Sequence, residues 1–436
     1  MLLPNLEKLS FTQQRSVIGG WVILCFIGIA LWGEINHHVL SYTGLIAALA
    51  IVILPSKLSP ALLWQCGIML GVGLIVLIWM QLVGEDIQWH ETLNSNIPLL
   101  ILFAAVSFLR VLPMKPAKAH QQRTGVPAFI QTFLGTHLLA AVINMSASIV
   151  VADYLKGSAP MGRTLTTLTM RAVCIAAYWS PFFGAMATVL HYMPSVDILT
   201  LWRYGIPLTI VALALTTWES YILDPNKLTQ FRGYPIGLEP LLLPLGLLGI
   251  VSIASALWPD IATVLLVSIA SLALPCLLLV KRQGLKQSTQ SITKHISFGL
   301  GNLRGEFLLF ISAGVLGSAG TILLQHYPPL LPFEVFDASV ASVLLLILLA
   351  IALLGAHTLV GISISAPIIL STGPDITLLA LCYLSAWSIA ATMSPFSGLS
   401  LMFRGHYQLG LVQLFQYHWR YGVLMTAASI AIFYLI

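Results

Sequence analysis

The sequence predicts an all-α polytopic membrane protein with about eleven transmembrane helices in two inverted repeats. Each repeat is expected to contain a re-entrant hairpin and a broken helix. Three observations predict this fold class. Hydrophobic residues form 58% of the 436 residues and charged residues only 8%, no long hydrophilic segment separates the apolar stretches, and three short motifs recur in the same order in both halves.

The composition excludes several classes of protein. Soluble proteins carry about 25% charged residues, so 20 Lys+Arg and 15 Asp+Glu cannot solvate the surface of a globule this large. A soluble enzyme, a disulfide-rich secreted domain and a disordered chain are excluded. The net charge of +5 is scattered over short loops and predicts no nucleic-acid partner. The five cysteines lie in apolar stretches without metal-binding spacing, as is typical of small buried residues.

Apolar stretches long enough to cross a bilayer, about 20 residues each, recur along the chain. The candidate spans are residues 17–33, 39–54, 60–83, 97–113, 164–192, 197–219, 238–257, 261–280, 298–324, 374–403 and 415–436. Basic residues collect in alternate loops, such as 114–126, and acidic residues in the loops between them. The positive-inside rule then predicts a cytoplasmic N-terminus and an external C-terminus, in a bacterial inner membrane.

Two further apolar stretches, 126–152 and 337–371, must each enter and leave on the same side if the loop charges are to alternate. We therefore interpret them as re-entrant hairpins, the first opening inward and the second outward. The predicted organisation is an N-terminal segment with the first helix at 1–38, a first repeat at 39–219 with its broken helix at 164–192, and a second repeat at 238–436 with its broken helix at 374–403.

The repeat itself consists of three matched motifs. Gly135-Thr136-His137 matches Gly355-Ala356-His357, Ser180-Pro181-Phe182-Phe183-Gly184 matches Ser394-Pro395-Phe396-Ser397-Gly398, and Trp202-Arg203-Tyr204-Gly205 matches Trp419-Arg420-Tyr421-Gly422. The loop charges give the two copies opposite orientations. Inverted repeats with interrupted helices are typical of secondary transporters.

The two Ser-Pro pairs predict a binding site at the interruptions. A proline removes a backbone donor and breaks the helix, and freed backbone groups cannot face lipid. They can line a polar cavity, where carbonyls coordinate a cation and helix N-termini attract an anion. Simple proline kinks are the alternative interpretation. The candidate substrate-binding residues here are Ser180, Pro181, Ser394, Pro395 and Ser397, and the candidate ion ligands are Ser180, Thr392 and Ser394.

Small polar residues are expected at the tips of the two hairpins. They are Asn144, Ser146 and Ser148 in the first hairpin, and Ser363 and Ser365 in the second. All five are candidate substrate contacts, and Asn144 is also a candidate ion ligand. The alternative is that they serve only close helix packing.

The coupling ion is expected to be Na⁺ or H⁺, with no other cofactor or metal. His137 and His357 match between the repeats and are candidate proton carriers, although a histidine on an apolar face is more often structural. Sodium bound by neutral oxygens fits the scarcity of buried carboxylates better. Glu219 is interpreted as a residue near a span boundary and Glu306 as a partner of Arg304, whereas the partner of Arg171 is left open.

The layout resembles the ion transporter superfamily, and within it the divalent-anion/sodium symporter type. The resemblance implies a peripheral first helix followed by two inverted five-span repeats. It also implies a mobile transport domain of hairpins and broken helices, a dimerising scaffold and an elevator mechanism. That family carries Ser-Asn-Thr at both hairpin tips. Here Asn144-Met145-Ser146 and Ser363-Ile364-Ser365 stand at those places, so only Asn144 carries over directly.

The favoured interpretation is therefore a secondary active transporter, and not an enzyme, that carries a small carboxylate-type anion with Na⁺. Its partners would be the anionic substrate, the lipid bilayer and a second copy of the chain. A proton-coupled carrier, an exporter of another anion and the membrane subunit of a tripartite transporter are alternatives. An intramembrane enzyme and a passive channel are less favoured, because neither explains two duplicated halves.

Overall fold

The computed structural model describes residues 9–33, 42–112, 124–157, 160–234, 239–327 and 331–436. Within these ranges the chain is helical, with no β-strand and one isolated β-bridge between Thr124 and Arg232. The predicted all-α fold class is confirmed.

The first half of the described chain contains twelve α-helices. They are α1 (Phe11–Gly33), α2 (Thr43–Ile53), α3 (Pro60–Val83), α4 (Trp89–Asn94), α5 (Ile97–Ser107), α6 (Gly125–Ile143), α7 (Ser146–Lys156), α8 (Arg163–Cys174), α9 (Gly184–Tyr192), α10 (Ile198–Leu223), α11 (Pro225–Thr229) and α12 (Glu239–Leu257). Short 3₁₀ segments extend α5 over Phe108–Val111 and α8 over Ile175–Tyr178.

The second half of the described chain contains seven more. They are α13 (Thr263–Lys294), α14 (Arg304–His326), α15 (Ala338–Leu353), α16 (Thr358–Leu370), α17 (Ile376–Met393), α18 (Gly398–Tyr407) and α19 (Leu411–Phe433). Gly284 interrupts α13 with a φ of 77°, in the left-handed region that glycine tolerates.

Among the described residues, seven helical segments are long and apolar enough to cross a bilayer. They are Phe11–Gly33, Pro60–Val83, Trp89–Val111, Gly125–Ile143, Ile198–Leu223, Thr263–His326 and Ile376–Tyr407. The arms of the second expected hairpin are shorter, with 16 residues in α15 and 13 in α16. At 1.5 Å per residue they reach only about 24 and 20 Å. This is less than the ~30 Å hydrocarbon core, whereas α6, the first arm of the first expected hairpin, has 19 residues and is one of the seven long segments. The re-entrant interpretation stays a prediction. The count of about eleven spans stays a prediction.

The chain divides into two compact units. The first contains residues 1–113, 250–332 and 363–371, and the second contains 114–249, 333–362 and 372–436. The second unit therefore holds the hairpin α6–α7, both broken helices, and the second hairpin as far as Ile362. It also holds α10 and α19, which the resemblance would assign to a scaffold.

Close approach of backbone explains why α10 and α19 belong with the broken helices. A Cβ placed on Gly205 of α10 would overlap the carbonyl oxygen of Tyr178, immediately before the first interruption. A Cβ on Gly422 of α19 would overlap Met393, immediately before the second. Glycine at both matched positions thus lets each final helix pack directly on its interruption.

In the first unit, two arginines bind backbone carbonyls at the C-terminal end of α2. Arg15 donates to the carbonyls of Ile53 (2.9 Å) and Val52 (2.7 Å). Arg304 donates at 2.8 Å to the carbonyls of Ile51 and Ser56. The expected pairing of Arg304 with Glu306 is wrong, because the guanidinium is used here and side chains two apart on a helix do not face each other.

Aspartates begin three helices of the second unit. Asp197, Asp337 and Asp375 each accept hydrogen bonds from backbone N–H groups in the first turn of α10, α15 and α17 respectively. Those N–H groups lack partners within the helix, so each carboxylate stabilises a helix start.

Asp197 provides a test of this capping. The Thr200 hydroxyl and the N–H groups of Thr200 and Leu199 lower the pKa of this exposed carboxyl, which lies just outside the α10 span. Its stabilising effect is therefore present above the unfolded-state pKa and lost as pH falls through the lower folded-state pKa. We expect Asp197→Ala to cost about 1 kcal/mol at pH 7. Thermal denaturation should show that this difference from the unsubstituted protein shrinks in strong acid. A constant difference would contradict the capping role.

Parts of the orientation argument lie outside the described residues. The basic loop 114–126 falls mostly on residues 113–123, and the N-terminal segment 1–38 includes residues 1–8 and 34–38, none of which the structure describes. The predicted sidedness therefore stays a prediction.

Candidate functional site

The first interruption lies between α8 and α9 and is held to the hairpin helix α6 by Ser180. The Ser180 hydroxyl donates to the Ala141 carbonyl at 2.5 Å and accepts from the Phe182 N–H at 3.3 Å. Ser180 is fully buried. Ala141 lies in the last turn of α6, where carbonyls lack partners within the helix, so one hydroxyl serves both the interruption and the hairpin.

The second interruption, between α17 and α18, repeats this arrangement. The Ser394 hydroxyl donates to the Ala352 carbonyl of α15 at 2.7 Å and accepts from the Phe396 N–H at 3.3 Å. Ser397 then begins α18 by accepting from the Ser400 N–H at 3.1 Å, while its hydroxyl donates to the Ala391 carbonyl at 2.8 Å. Pro181 and Pro395 follow the two clasping serines, as the repeat predicted.

The hairpin turns follow the same register. Asn144 has a φ of 54° and Gly355 a φ of 105°, and each stands three residues after the carbonyl that the serine binds. Asn144 and Gly355 are thus the equivalent turn residues. The sequence match of Gly355 to Gly135 was out of register by nine residues, because a three-residue motif was aligned without the turn that defines the hairpin.

The turn of the second hairpin does not lie where the sequence predicted it. It lies at Leu354–His357, between α15 and α16, so Ser363 and Ser365 stand inside α16 and not at the tip. Both serines belong to the first unit. Serine is compatible with a helix interior, and the glycine with positive φ was the better signal for the turn.

Contacts in the second unit bring the hairpin turns and the interruptions together. The Asn144 amide donates to the Phe182 carbonyl at 3.3 Å. A Cβ on Gly398 would lie 4.0 Å from the Met145 sulfur, and one on Gly355 would lie 3.6 Å from the Phe396 ring. The first turn therefore touches both interruptions, and the second turn touches its own.

The other candidate residues of the second unit are tied to local backbone. Thr392, fully buried, donates to the Ser388 carbonyl at 2.8 Å, one helical turn before the second interruption. Ser148 donates to the Met145 carbonyl at 2.6 Å and so closes the first hairpin turn. Ser146 is the first residue of α7.

The two histidines that were matched in the sequence do not occupy equivalent positions, because the hairpin register places Gly355 opposite Asn144. His137 lies within α6, with Nδ1 2.9 Å from the Ala172 carbonyl and Nε2 accepting from the Trp179 indole at 2.8 Å. These bonds define a neutral ring with its proton on Nδ1, which fixes Trp179 at the interruption. His357 lies in the second turn, where Nδ1 accepts from the Leu359 N–H at 3.1 Å and the ring packs against Trp387. The geometry favours the structural interpretation for His137.

Sequence reasoning missed a buried charge cluster in the second unit. Arg171 of α8 has a fully buried side chain and pairs with Glu219 of α10 at 2.6 Å, and Arg163 binds the other carboxylate oxygen at 2.9 Å. Glu219 is only 9% exposed and lies four residues before the end of α10. The signal was present, because isolated charges in apolar spans need partners, and these are opposite charges in consecutive spans.

Arg203 and Arg420, which recur in the repeat, stack on neighbouring aromatic rings. Both are exposed, and each guanidinium lies over the ring beside it, Tyr204 at 5.7 Å and Trp419 at 5.5 Å. Such stacking fits arginines near span ends. Within the part of the chain that the structure describes, no group of three or more His, Cys, Asp or Glu side chains could hold a metal ion.

Comparison with known proteins adds little to this geometry. No family model matches the sequence, and no curated protein matches it. Among solved structures, the chain is similar to the Alcanivorax borkumensis YdaH transporter, whose crystal structure is described as having an unusual topology. The two chains are 13% identical with a TM-score of 0.39, over 96% of this chain and 97% of that one. A likeness this distant carries no argument about function. The chain is, on its own residues, an all-α polytopic membrane protein with two serine-clasped helix interruptions in one unit.

Proposed function

We propose that the chain is a secondary active transporter that carries a small carboxylate-type anion with Na⁺. The observation that carries the proposal is the duplicated clasp, in which Ser180 and Ser394 each bind a hairpin carbonyl at an interrupted helix. Two copies of one arrangement in opposite orientations give a single substrate site two equivalent routes of access.

Helix ends at the interruptions support an anionic substrate. α9 begins at Gly184 and α18 at Gly398, directly after the two interruptions. A helix N-terminus carries partial positive charge and unpaired N–H groups. The candidate side chains around them, which include Asn144, Ser180 and Ser394, are neutral, so no negative charge there would repel a carboxylate.

Neutral oxygens support Na⁺ as the coupling ion. Interrupted helices coordinate Na⁺ through unwound backbone carbonyls and helix C-terminal ends. Here α17 ends at Met393, beside Thr392 and Ser394, and α6 ends at Ile143, beside Asn144. H⁺ coupling is the second candidate. We propose it through His357, which lies in the second hairpin turn, beside the second interruption.

The division of the chain supports an elevator mechanism. Both interruptions and the first hairpin belong to the second unit, whereas α1–α5, α13 and α14 belong to the first. We propose that the second unit carries the substrate and that the first unit stays fixed and forms a homodimer. A bacterial inner membrane, with the N-terminus inside, is the setting we propose.

The first test is the thermal stability of the purified protein in Na⁺ or choline buffer, with a panel of organic anions. A ligand that binds only the folded state raises the melting temperature by mass action. We expect one carboxylate class to raise it only when Na⁺ is present. A shift that follows pH and ignores Na⁺ would move the coupling to His357, and no shift with any anion would overturn the substrate assignment.

The clasping serines provide the variant test. Ser180→Ala and Ser394→Ala each remove one hydroxyl that joins an interruption to its hairpin, so we expect each to weaken substrate binding about tenfold, the effect of losing ~1.4 kcal/mol. The half-saturating anion concentration in the thermal assay measures this. Ser271→Ala is the matched control, because Ser271 is a fully buried serine of α13 in the first unit. Equal affinity in all three variants would contradict the proposed site.

A further inference from the structure

A seam inside the second unit contains buried polar atoms that the clasped interruptions do not use. It lies where α8, its 3₁₀ extension, α17 and α19 pack together. Six buried side-chain atoms in this seam make no hydrogen bond of standard geometry, although the Tyr178 hydroxyl lies within reach of those of Ser385 and Ser429: Arg171 Nη1, Tyr178 Oη, Ser385 Oγ, His418 Nε2, Tyr421 Oη and Ser429 Oγ. Buried polar groups are nearly always satisfied, so this concentration of unsatisfied atoms points to a bound ligand.

The unsatisfied atoms lie close together. The Arg171 guanidinium carbon sits 4.3 Å from the centre of the Tyr421 ring, and Arg171 Nε donates to His418 Nδ1 at 3.4 Å. The Tyr178 hydroxyl lies within hydrogen-bonding reach of the hydroxyls of Ser385 and Ser429. His418 and Tyr421 are three residues apart on α19 and so share a face.

Hydrogen donors dominate this group. Because His418 Nδ1 accepts from Arg171, a neutral His418 carries its proton on Nε2, which is then a donor. Arg171 Nη1 can only donate, and the tyrosine and serine hydroxyls can each turn a hydrogen toward a ligand. A ligand that satisfies them must therefore accept hydrogen bonds.

The charge near Arg171 also favours an anionic ligand. Arg171 donates to the Tyr417 carbonyl at 2.8 Å and shares the single carboxylate of Glu219 with Arg163. Asp224, the next acid along the chain, accepts from the Thr164 hydroxyl at 2.9 Å, on the Arg163 side of the cluster. The inner end, at Arg171, thus has positive charge that Glu219 neutralises only in part.

We propose that this seam binds a small monovalent inorganic anion such as chloride, held by Arg171 and the hydroxyls of Tyr178 and Tyr421. A chloride ion accepts several hydrogen bonds, whereas a cation would be repelled by Arg171. A groove of about 340 Å³ between α10 and α19 is lined by both Glu219 and Tyr421. This site is separate from the clasped interruptions and does not depend on the proposed transport.

The test uses the purified full-length chain at constant Na⁺, without any organic substrate, and replaces methanesulfonate with chloride in steps. We expect a saturable rise in melting temperature of roughly 2–5 °C. Bromide should replace chloride, and in crystals it should give an anomalous peak beside Arg171 Nη1. Identical melting in chloride and methanesulfonate, with no bromide peak, would overturn the proposal and leave water as the occupant.

Variants separate binding in the seam from a general salt effect. Tyr421→Phe keeps the ring under Arg171 but removes one donor, and Ser429→Ala is a smaller change if Tyr421→Phe does not fold. We expect each to raise the half-saturating chloride concentration at least about threefold, since a hydrogen bond to a charged group is involved. Ser271→Ala, in the first unit, should leave it unchanged. A chloride response that is the same in all variants would contradict the assignment.

Discussion

Replacing Glu219 with glutamine is expected to destabilise the protein by about 3–5 kcal/mol, the cost typical of breaking a buried ion pair from one side. The Arg171 side chain is completely buried and its guanidinium pairs with Glu219 at 2.6 Å. Without the carboxylate, a positive charge would stay in the interior with no opposite charge beside it. Thermal denaturation of the purified variant measures the loss, and a reduced yield of folded protein is expected as well.

An exposed contact between a carboxylate and a histidine provides the matched control. Glu85 pairs with His326 at 2.6 Å in the first unit, but the two side chains are 41% and 32% exposed. Water screens such a pair, so Glu85→Gln should cost less than about 1 kcal/mol. If Glu219→Gln were as mild as Glu85→Gln, Arg171 would not depend on Glu219 and the cluster would need another explanation.

Replacing Gly205 with alanine is expected to destabilise the protein by up to about 2 kcal/mol. The new Cβ would overlap the backbone carbonyl oxygen of Tyr178, which cannot move without displacing the first interruption. Inserting one methyl group into close packing costs about 1–3 kcal/mol. The gain in helix propensity from alanine, about 1 kcal/mol, offsets only part of that. Thermal denaturation measures the net change.

Alanine substitutions at two other glycines show how the stability cost depends on what the added Cβ meets. A Cβ on Gly422 would meet the flexible Met393 side chain, which can turn away, so Gly422→Ala should cost less than Gly205→Ala. Gly71 in α3 has no atom within 4 Å of the added Cβ, and Gly71→Ala should be neutral or stabilising by up to about 1 kcal/mol. The reverse order, with Gly205→Ala the mildest, would contradict the close packing of α10 on the interruption.

Much of the fold could be predicted because it depends on composition and on proline. Charge scarcity required a membrane protein, and Pro181 and Pro395 marked the two interruptions that the structure contains. The positions of the hairpin helices followed from apolar run lengths. The turn at Gly355 was missed because a positive φ depends on where the chain must reverse, which a short motif does not show.

The site was less predictable, because its bonds join residues far apart in the chain. Ser180 was singled out from the sequence, but its partner carbonyl belongs to Ala141, whose side chain carries no signal. The Arg171–Glu219 pair joins residues 48 positions apart on different helices. Each charge alone was visible, yet which charges meet depends on tertiary packing, and one sequence does not determine that.

The most direct test of the central claim is uptake by proteoliposomes that contain the purified protein. The carboxylate identified by the thermal assay would be supplied outside, with an inward Na⁺ gradient, with a proton gradient or with neither. The account predicts saturable accumulation only with the Na⁺ gradient, reduced about tenfold by Ser180→Ala or Ser394→Ala and unchanged by Ser271→Ala. Accumulation that is indifferent to Na⁺, or equal in the serine variants, would contradict it.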